Sequence, residues 1–242
     1  MNITGKGMKF RWLNNAGFEM ELSSGKHLLV DPWLDEAQVY PISINEIERA
    51  DYVLLTHTHD DHSDSIGRIQ KRFPQAAIFV GDLSAEALCK EYDLNVERLF
   101  RIRGGEEYEF DDVKIEVISA RHTESKGGNY WDRGYCIQKD GSRRETMWYG
   151  SLEMYNFRIT DVNGYRAVVW GGMTTEEQIH RMENTVEMRS HLCMSAQNRI
   201  TRCLQDWCRL LIPRQLFHIT MISGNLVCSK ARVISRYETS GR

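Results

Sequence analysis

Three histidines and an aspartate lie close together in the chain: His57, His59, Asp61 and His62. They directly follow the apolar segment 52–55, which is typical of a buried strand that ends in a tight loop. The end of a strand can direct alternate side chains, here His57 and His59, at one ion, while the other two enter the same cleft from the opposite side. Imidazole and carboxylate together suit zinc and the neighbouring divalent ions. The His-x-His-x-Asp-His pattern therefore predicts a metal site rather than a histidine-rich surface loop.

Regular secondary structure is predicted on both sides of this cluster. Alternation of apolar and polar residues, interrupted by turn residues, indicates a series of strands. The predicted strands are 9–13, 18–22, 27–31, 77–80, 107–110, 113–118, 155–160 and 165–170. Helical spacing predicts one helix between Ser63 and Pro74 and another over 83–90. This order of elements predicts an α+β fold of mixed sheets with helices on their outer faces.

The motif resembles that of the metallo-β-lactamase fold superfamily of metal-dependent hydrolases. Residues 12–18 look like the opening hairpin of that superfamily, and residues 28–34 look like its next strand with an Asp-Pro turn. The resemblance covers roughly residues 8–185 and favours the lactonase-like and phosphodiesterase-like branch. It implies a four-layer αββα sandwich with the metal site at one edge.

The resemblance also implies which residues bind metal. It assigns His57, His59 and His122 to one ion, and Asp61 and His62 to a second. A lone histidine such as His122 is more often structural than a ligand, but it directly follows a predicted strand, as the third histidine of the superfamily does. Zinc held by three histidines keeps an open position for water and lowers the pKa of that water to about 7.

The same resemblance gives Asp61 a catalytic role, in which it orients the hydroxide and carries its proton. Asp31, at the end of a predicted strand, would support the ligands from behind. The expected cofactor is Zn²⁺, as one or two ions, with Mn²⁺ and Fe²⁺ as alternatives.

One part of the superfamily pattern is missing. The superfamily supplies a bridging aspartate from a turn after its last central hairpin, and here that turn is 171–174, or 150–153 in the alternative register. Neither stretch has a carboxylate at the expected position, although Glu153 is near in sequence. We therefore expect the Asp61–His62 ion to bind more weakly, and an aspartate at Gly172 to strengthen it.

Residues 189–242 differ from the rest of the chain in composition. They contain nine Arg or Lys and two acidic residues, a net charge of +7. Because the whole chain has a net charge of −3, residues 1–188 carry −10. Four of the six cysteines also fall there, without the Cys-x-x-Cys spacing of a zinc ribbon. A basic segment on an acidic body commonly indicates a nucleic-acid or membrane contact.

A shifted reading frame accounts for this composition in another way. The superfamily ends with a Pro-x-His element that carries the last ligand of its second metal, and His218 matches it only loosely. Read across codon boundaries, residues 215–223 can yield Val-Ile-Pro-Tyr-His-Asn-Asp-Phe, in which the Asp from the Met221–Ile222 junction is forced. We interpret the chain beyond roughly 185–200 as out of frame; an authentic divergent C-terminal arm is the alternative.

This interpretation divides the chain into a hydrolase domain, 1–188, and an atypical segment, 189–242, that leaves the C-terminal part of the fold irregular or incomplete. The overall composition, 41% apolar and 27% charged over 242 residues, is ordinary for a globular protein. No run approaches the roughly 18 apolar residues of a membrane-spanning helix. The N-terminus also lacks the apolar core of a signal peptide, so we expect a cytoplasmic location with free thiols.

Together these observations predict a metal-dependent hydrolase in which a metal-bound hydroxide cleaves a lactone, an ester or a phosphodiester. One alternative is a catalytically impaired metal-binding protein of the same fold, because the bridging aspartate is missing. Another is a ribonuclease Z-like nuclease, but the acidic body has no basic, aromatic-interleaved arm for phosphate contacts. The expected partner is therefore a small-molecule substrate, with no membrane contact and with nucleic acid disfavoured. The sequence sets neither the substrate nor the oligomeric state.

Overall fold

A computed structural model describes residues 2–3, 7–37, 41–121, 135–137, 143–145, 153–172, 191–195, 216–222 and 225–230. Its strands form two seven-stranded sheets and a separate two-stranded hairpin. The hairpin pairs β10 (Tyr135–Ile137) with β11 (Arg143–Glu145) in antiparallel orientation.

The first sheet contains the first seven strands in sequence order. They are β1 (Asn2–Ile3), β2 (Lys9–Asn14), β3 (Gly17–Glu21), β4 (His27–Val30), β5 (Tyr52–Leu54), β6 (Ala77–Gly81) and β7 (Leu99–Ile102). β1 to β4 pair antiparallel, and β4 to β7 pair parallel. The carboxyl ends of β4, β5 and β6 therefore meet at one edge of the sheet, which is where the histidine cluster begins.

Among the described residues, three α-helices follow the parallel strands: α1 (Asp60–Ser63), α2 (Ile66–Arg72) and α3 (Ala85–Tyr92). Two 3₁₀ turns, Ile44–Glu46 and Val96–Arg98, complete the connections. Ile69 of α2 and Leu88 of α3 belong to one buried cluster with Val53 and Ile78 on the outer face of the sheet. The two predicted helices are confirmed, and within the described ranges no helix is long and apolar enough to cross a bilayer.

The second sheet faces the other side of the first. It contains β8 (Glu107–Glu109), β9 (Val113–Ala120), β12 (Met154–Asp161), β13 (Arg166–Val169), β14 (His191–Ser195), β15 (Leu216–Ile222) and β16 (Asn225–Lys230). The spatial order is β16-β15-β14-β13-β12-β9-β8. The backbone of β14, β15 and β16, all within 189–242, thus continues this sheet; the division of the chain at residue 188 stays a prediction.

The core between the sheets follows from strand periodicity, because alternate residues of a strand point to opposite faces. Leu54 and Phe79 from the first sheet meet Val117 and Phe157 from the second. The ring of Phe79 is completely buried and stacks on Phe100 with centroids 4.7 Å apart. Helices, first sheet and second sheet therefore form three successive layers of a sandwich in the described residues.

A polar network joins the sheets at the end opposite the histidine cluster. Asp112, between β8 and β9, accepts hydrogen bonds from Tyr52 Oη at 2.8 Å and from Lys26 Nζ at 2.9 Å. Burial raises the pKa of the Asp112 carboxyl, but the hydrogen bonds from Lys26 and Tyr52 outweigh burial and hold it below its ordinary value. Burial and the bond to Asp112 raise the pKa of Tyr52 to about 12.

Candidate metal centre

The loop after β5 brings three imidazoles together. The ring of His57 lies 4.6 Å from the ring of His59 and 3.9 Å from that of His62, measured between centroids. His57 is buried and lies in the loop directly after β5, whose three residues are also buried. His59 is the cap of the four-residue helix α1, whose single turn carries Asp61 and His62 back towards the strand end.

Two ring nitrogens face each other in the first predicted half of the site. His57 Nε2 and His59 Nδ1 are 2.9 Å apart. Two nitrogens that bind one tetrahedral zinc at about 2.0–2.1 Å lie about 3.3 Å from each other. In this structure a hydrogen bond joins the two nitrogens, and their separation is within a few tenths of an ångström of that value, so the two side chains are close enough to share an ion.

The second predicted half contains a mixed pair of donors. Asp61 Oδ1 lies 3.6 Å from His62 Nε2. This separation is also close to the spacing of two ligands on one ion, and a carboxylate with an imidazole suits zinc, manganese or iron. The residues present therefore fit the group that the sequence predicts, with two donors for each ion.

The remaining predicted ligand of the first ion is His122. His122 lies outside the described residues, and Arg121, directly before it, extends β9 at the same edge. Across residues 7–37, 41–121 and 153–172, no three His, Cys, Asp or Glu side chains are arranged to hold one ion. The assignment of His57, His59 and His122 to one ion, and of Asp61 and His62 to another, stays a prediction.

Asp31 connects the two pairs of donors from behind. Its Oδ1 accepts a hydrogen bond from the Thr56 backbone N–H at 2.7 Å, and its Oδ2 accepts one from Thr56 Oγ1 at 2.6 Å. His62 Nδ1 lies 3.0 Å from the same Oδ2, an ionic contact rather than a well-aligned hydrogen bond. Asp31 is buried and has a φ of 42°, in the left-handed region that costs free energy for a residue other than glycine.

The hydroxyl of Thr56 determines which nitrogen of His57 carries the proton. This hydroxyl has one proton, which it donates to Asp31, so at His57 Nδ1, 3.0 Å away, it acts as an acceptor. His57 Nδ1 is therefore the protonated nitrogen, and the lone pair of Nε2 points towards His59. Metal-binding histidines are commonly oriented by such a hydrogen bond on the nitrogen that does not bind the ion.

The electrostatics around His62 favour positive charge. Burial alone would lower the pKa of the His62 imidazole, but the negative charge of Asp31, with a smaller contribution from Asp61, raises it above its ordinary value. The electrostatic potential around His62 is thus negative, and the same potential would favour a bound cation.

Gly171 and Gly172 belong to one of the two stretches in which the resemblance predicts a bridging aspartate. A Cβ on Gly171 would lie 2.6 Å from the Tyr155 carbonyl oxygen, and a Cβ on Gly172 would lie 2.6 Å from that of Arg121. Asn156, which is completely buried, accepts hydrogen bonds from both glycine N–H groups at 2.8 and 2.9 Å. The turn therefore lies against the histidine loop and beside Arg121, but it has no room for a larger residue without backbone movement.

Glu153 does not take the place of the missing carboxylate. It accepts hydrogen bonds from the backbone N–H groups of Leu83 and Ser84 at 3.1 and 2.7 Å, where helix α3 begins. Free N–H groups at the start of a helix favour a negative charge. Glu153 thus fixes α3 to the second sheet.

Sequence reasoning did not identify Thr56, Asn15 or Asn156 as parts of this region. Asn15 Nδ2 donates a hydrogen bond to Asp61 Oδ2 at 2.7 Å. The available signals were weak: Thr56 is adjacent to the first histidine, and the Asn-Asn-Ala-Gly turn favours a left-handed residue.

Comparison with known proteins finds relatives that are described as metal-dependent hydrolases. The chain is 34% identical over 96 residues to a UPF0173 metal-dependent hydrolase of Aeropyrum pernix, which covers 38% of the chain and 39% of that protein. A second relative with the same description, from Sulfurisphaera tokodaii, is 28% identical over 116 residues, 48% of the chain and 51% of that protein. The chain therefore matches about half or less of the length of these relatives.

The fold also matches a solved structure. The novel metallo hydrolase Igni18 of Ignicoccus hospitalis superposes with a TM-score of 0.57 at 13% identity, over 94% of this chain and 100% of that one. This likeness of fold, together with a match to a family model, confirms the predicted metallo-β-lactamase fold. The profile of the family described as beta-lactamase superfamily domain matches residues 9–150, more than half of the chain. The chain belongs to the β-lactamase superfamily domain family.

Proposed function

We propose that this protein is a metal-dependent hydrolase that cleaves a lactone, an ester or a phosphodiester. The observation that carries the proposal is the placement of two donor pairs at one sheet edge, His57 with His59 and Asp61 with His62. The names of the relatives, metal-dependent hydrolases, support the same class of reaction.

A bound divalent ion would supply Lewis acidity and a water molecule of lowered pKa. The chain itself provides the rest. The side chain of Asp61 is 44% exposed, so its carboxylate can reach a water at the mouth of the site, orient it and accept its proton. Thr56 and Asp31 hold His57 in one tautomer and His62 in one orientation, so the donors are preorganised before an ion or a substrate enters.

We propose zinc as the ion. Two of the donors are imidazole nitrogens that face each other, and the other pair combines a nitrogen with a carboxylate oxygen. Zinc accepts both sets in tetrahedral geometry, and Mn²⁺ and Fe²⁺ are the alternatives for the second, oxygen-containing set.

One observation favours a second candidate function, a metal-binding protein of the same fold with impaired catalysis. The glycine turn at 171–172 is clamped by Asn156 and offers no carboxylate to bridge two ions. In that case the His57–His59 ion would bind without efficient turnover.

Metal analysis combined with hydrolysis assays separates these functions. The protein would be dialysed against zinc, analysed for metal, and assayed with generic lactone, ester and bis-nitrophenyl phosphate substrates. His57→Gln is expected to lose the tightly bound ion and all hydrolysis. His27→Gln is the matched control, because His27 pairs with Glu19 at 2.8 Å on the outer face of the first sheet.

The outcomes have distinct meanings. Hydrolysis that His57→Gln abolishes and His27→Gln preserves would support the hydrolase. Zinc bound through His57 without any turnover would favour the impaired metal-binding protein, and a chain that takes up no ion would contradict both. The cytoplasmic location stays a prediction, which cell fractionation would test.

A further inference from the structure

The β2–β3 turn reaches the candidate site through one side chain. Asn15 lies at the tip of this turn, and its Nδ2 donates a hydrogen bond to Asp61 Oδ2 at 2.7 Å. Asp61 lies on the one-turn helix α1, far along the chain, and its other oxygen, Oδ1, faces His62 Nε2 at 3.6 Å. The two oxygens of one carboxylate thus have different partners.

The backbone of Asn15 is itself held on both sides. Its N–H donates to Asn14 Oδ1 at 2.8 Å, and its carbonyl oxygen accepts a hydrogen bond from Trp12 Nε1 at 3.0 Å. Its φ is 39°, in the left-handed region, which asparagine tolerates better than most residues. These contacts fix the direction in which the Asn15 amide points.

The turn is also fixed relative to Asp31. A Cβ at Gly17 would lie 2.9 Å from the carbonyl oxygens of both Asn14 and Asp31, so the turn and the end of β4 approach more closely than a side chain allows. Asn15, which contacts Asp61, and Asp31, which contacts His62, are therefore parts of one rigid unit. Each has a positive φ, and strained residues of this kind occur preferentially at functional sites.

We propose that Asn15 is a positioning residue for the second ion. Its amide binds Asp61 Oδ2, restricts the carboxylate to one orientation, and leaves Oδ1 as the single oxygen directed with His62 Nε2 at the ion. A half-exposed aspartate without this contact would sample several rotamers, and ordering it would cost free energy when the ion binds. The inference rests on the proposed function in taking Asp61 and His62 as ligands.

The test is a metal titration of Asn15→Gly. Glycine removes the amide and adopts the left-handed backbone conformation without strain. Alanine would remove the amide and also strain the backbone, so the two effects could not be separated. Cobalt would be titrated in place of zinc, because its visible absorption reports coordination, and affinities would be measured by competition with a chelator. We expect the affinity of the second, weaker ion to fall about 10- to 100-fold, the range typical for loss of a residue that orients a ligand. The first ion should bind unchanged.

Asp93→Gly is the matched control. Asp93 also has a positive φ, 52°, but it is the C-cap of helix α3 and belongs neither to the β2–β3 turn nor to the loop and helical turn that carry the ligands. It should leave both cobalt affinities as in the parent protein.

A double-mutant cycle distinguishes positioning from a structural role. In an Asp61→Ala background, Asn15→Gly should cause no further loss of second-ion affinity, because the two effects share one contact. Equal losses in both backgrounds would overturn the inference. So would a parent protein that takes up no second ion, or an Asn15→Gly protein that releases both ions together as it unfolds. Two bound ions without hydrolysis would instead contradict the proposed function and leave this inference standing.

Discussion

Replacing Thr56 with valine tests how the buried hydroxyl organises the site. Valine has nearly the same shape as threonine, and Thr56 is completely buried, so the substitution creates no cavity. It removes one hydroxyl, which donates to Asp31 at 2.6 Å and lies 3.0 Å from His57 Nδ1. The backbone contacts of Thr56 remain, namely its N–H to Asp31 at 2.7 Å and its carbonyl oxygen with Tyr155 N at 2.9 Å.

The expected loss of stability in Thr56→Val follows from the type of hydrogen bond that is removed. A hydrogen bond to a charged group contributes about 1.5–3 kcal/mol, and the backbone N–H still satisfies part of the Asp31 carboxylate, so we expect the free energy of unfolding to fall by about 2 kcal/mol. For a domain of this size, that loss lowers the melting temperature by about 4–8 °C. Since His57 also loses the contact that selects its tautomer, its ion should bind about 10- to 100-fold more weakly.

Thermal unfolding and zinc competition would measure both effects. Thr56→Ser keeps the hydroxyl and should recover most of the metal affinity, although it loses a methyl group. Thr160→Val, at the end of β12 away from Tyr155, is a control for a threonine-to-valine change outside the histidine loop. If Thr56→Val bound zinc as tightly as the parent protein, or Thr56→Ser bound it as weakly as the valine variant, the role assigned to the hydroxyl would be wrong.

Three further outcomes are expected. From the sequence alone we expect an aspartate at Gly172 to strengthen the second ion, but the packing of this turn reverses that expectation. Gly172→Asp should lower the melting temperature without raising the affinity for a second ion, because its Cβ meets the Arg121 carbonyl oxygen at 2.6 Å. A second ion gained without loss of stability would contradict this. The pKa of Asp112 is lowered in the folded state, so its contribution to stability is complete above its unfolded pKa of about 3.9 and is lost as pH falls towards the folded value. Acid titration of Asp112→Asn should therefore show a flatter loss of stability in this range than the parent protein. Limited proteolysis should cleave early within 189–242 and leave a core that ends near residue 185, whereas a segment as resistant as the core would indicate an authentic C-terminal arm.

The parts of the fold that depend on local pattern could be predicted from the sequence. Alternation identified β2, β3, β4 and β6, and the helix from Ile66 was confirmed because apolar residues repeat at its spacing. The short strand β7, Leu99–Ile102, was missed, since its pairing with β6 rather than its own pattern defines it.

In the candidate site, too, contacts within one segment could be predicted from the sequence, whereas contacts between distant segments could not. The close approach of His57, His59 and His62 was readable because one loop and one helical turn supply all three. The contact of Asn15 with Asp61 joins positions 46 residues apart, and that of Glu153 with Ser84 joins positions 69 apart. Such contacts depend on how the sheets stack, which no local spacing in a single sequence records.

The position of Asp31 has a thermodynamic consequence. One buried carboxylate oxygen serves His57 through the Thr56 hydroxyl and His62 by direct contact. If both donor pairs bind ions as proposed, an ion at one histidine would draw negative charge from this oxygen and so weaken its interaction with the other histidine. Occupancy of either pair would then alter the affinity of the other pair. Coupling of this kind is reciprocal by thermodynamic necessity. The dissociation constants of the two proposed ions would then not be independent, and a substitution at one pair would also change the affinity measured at the other.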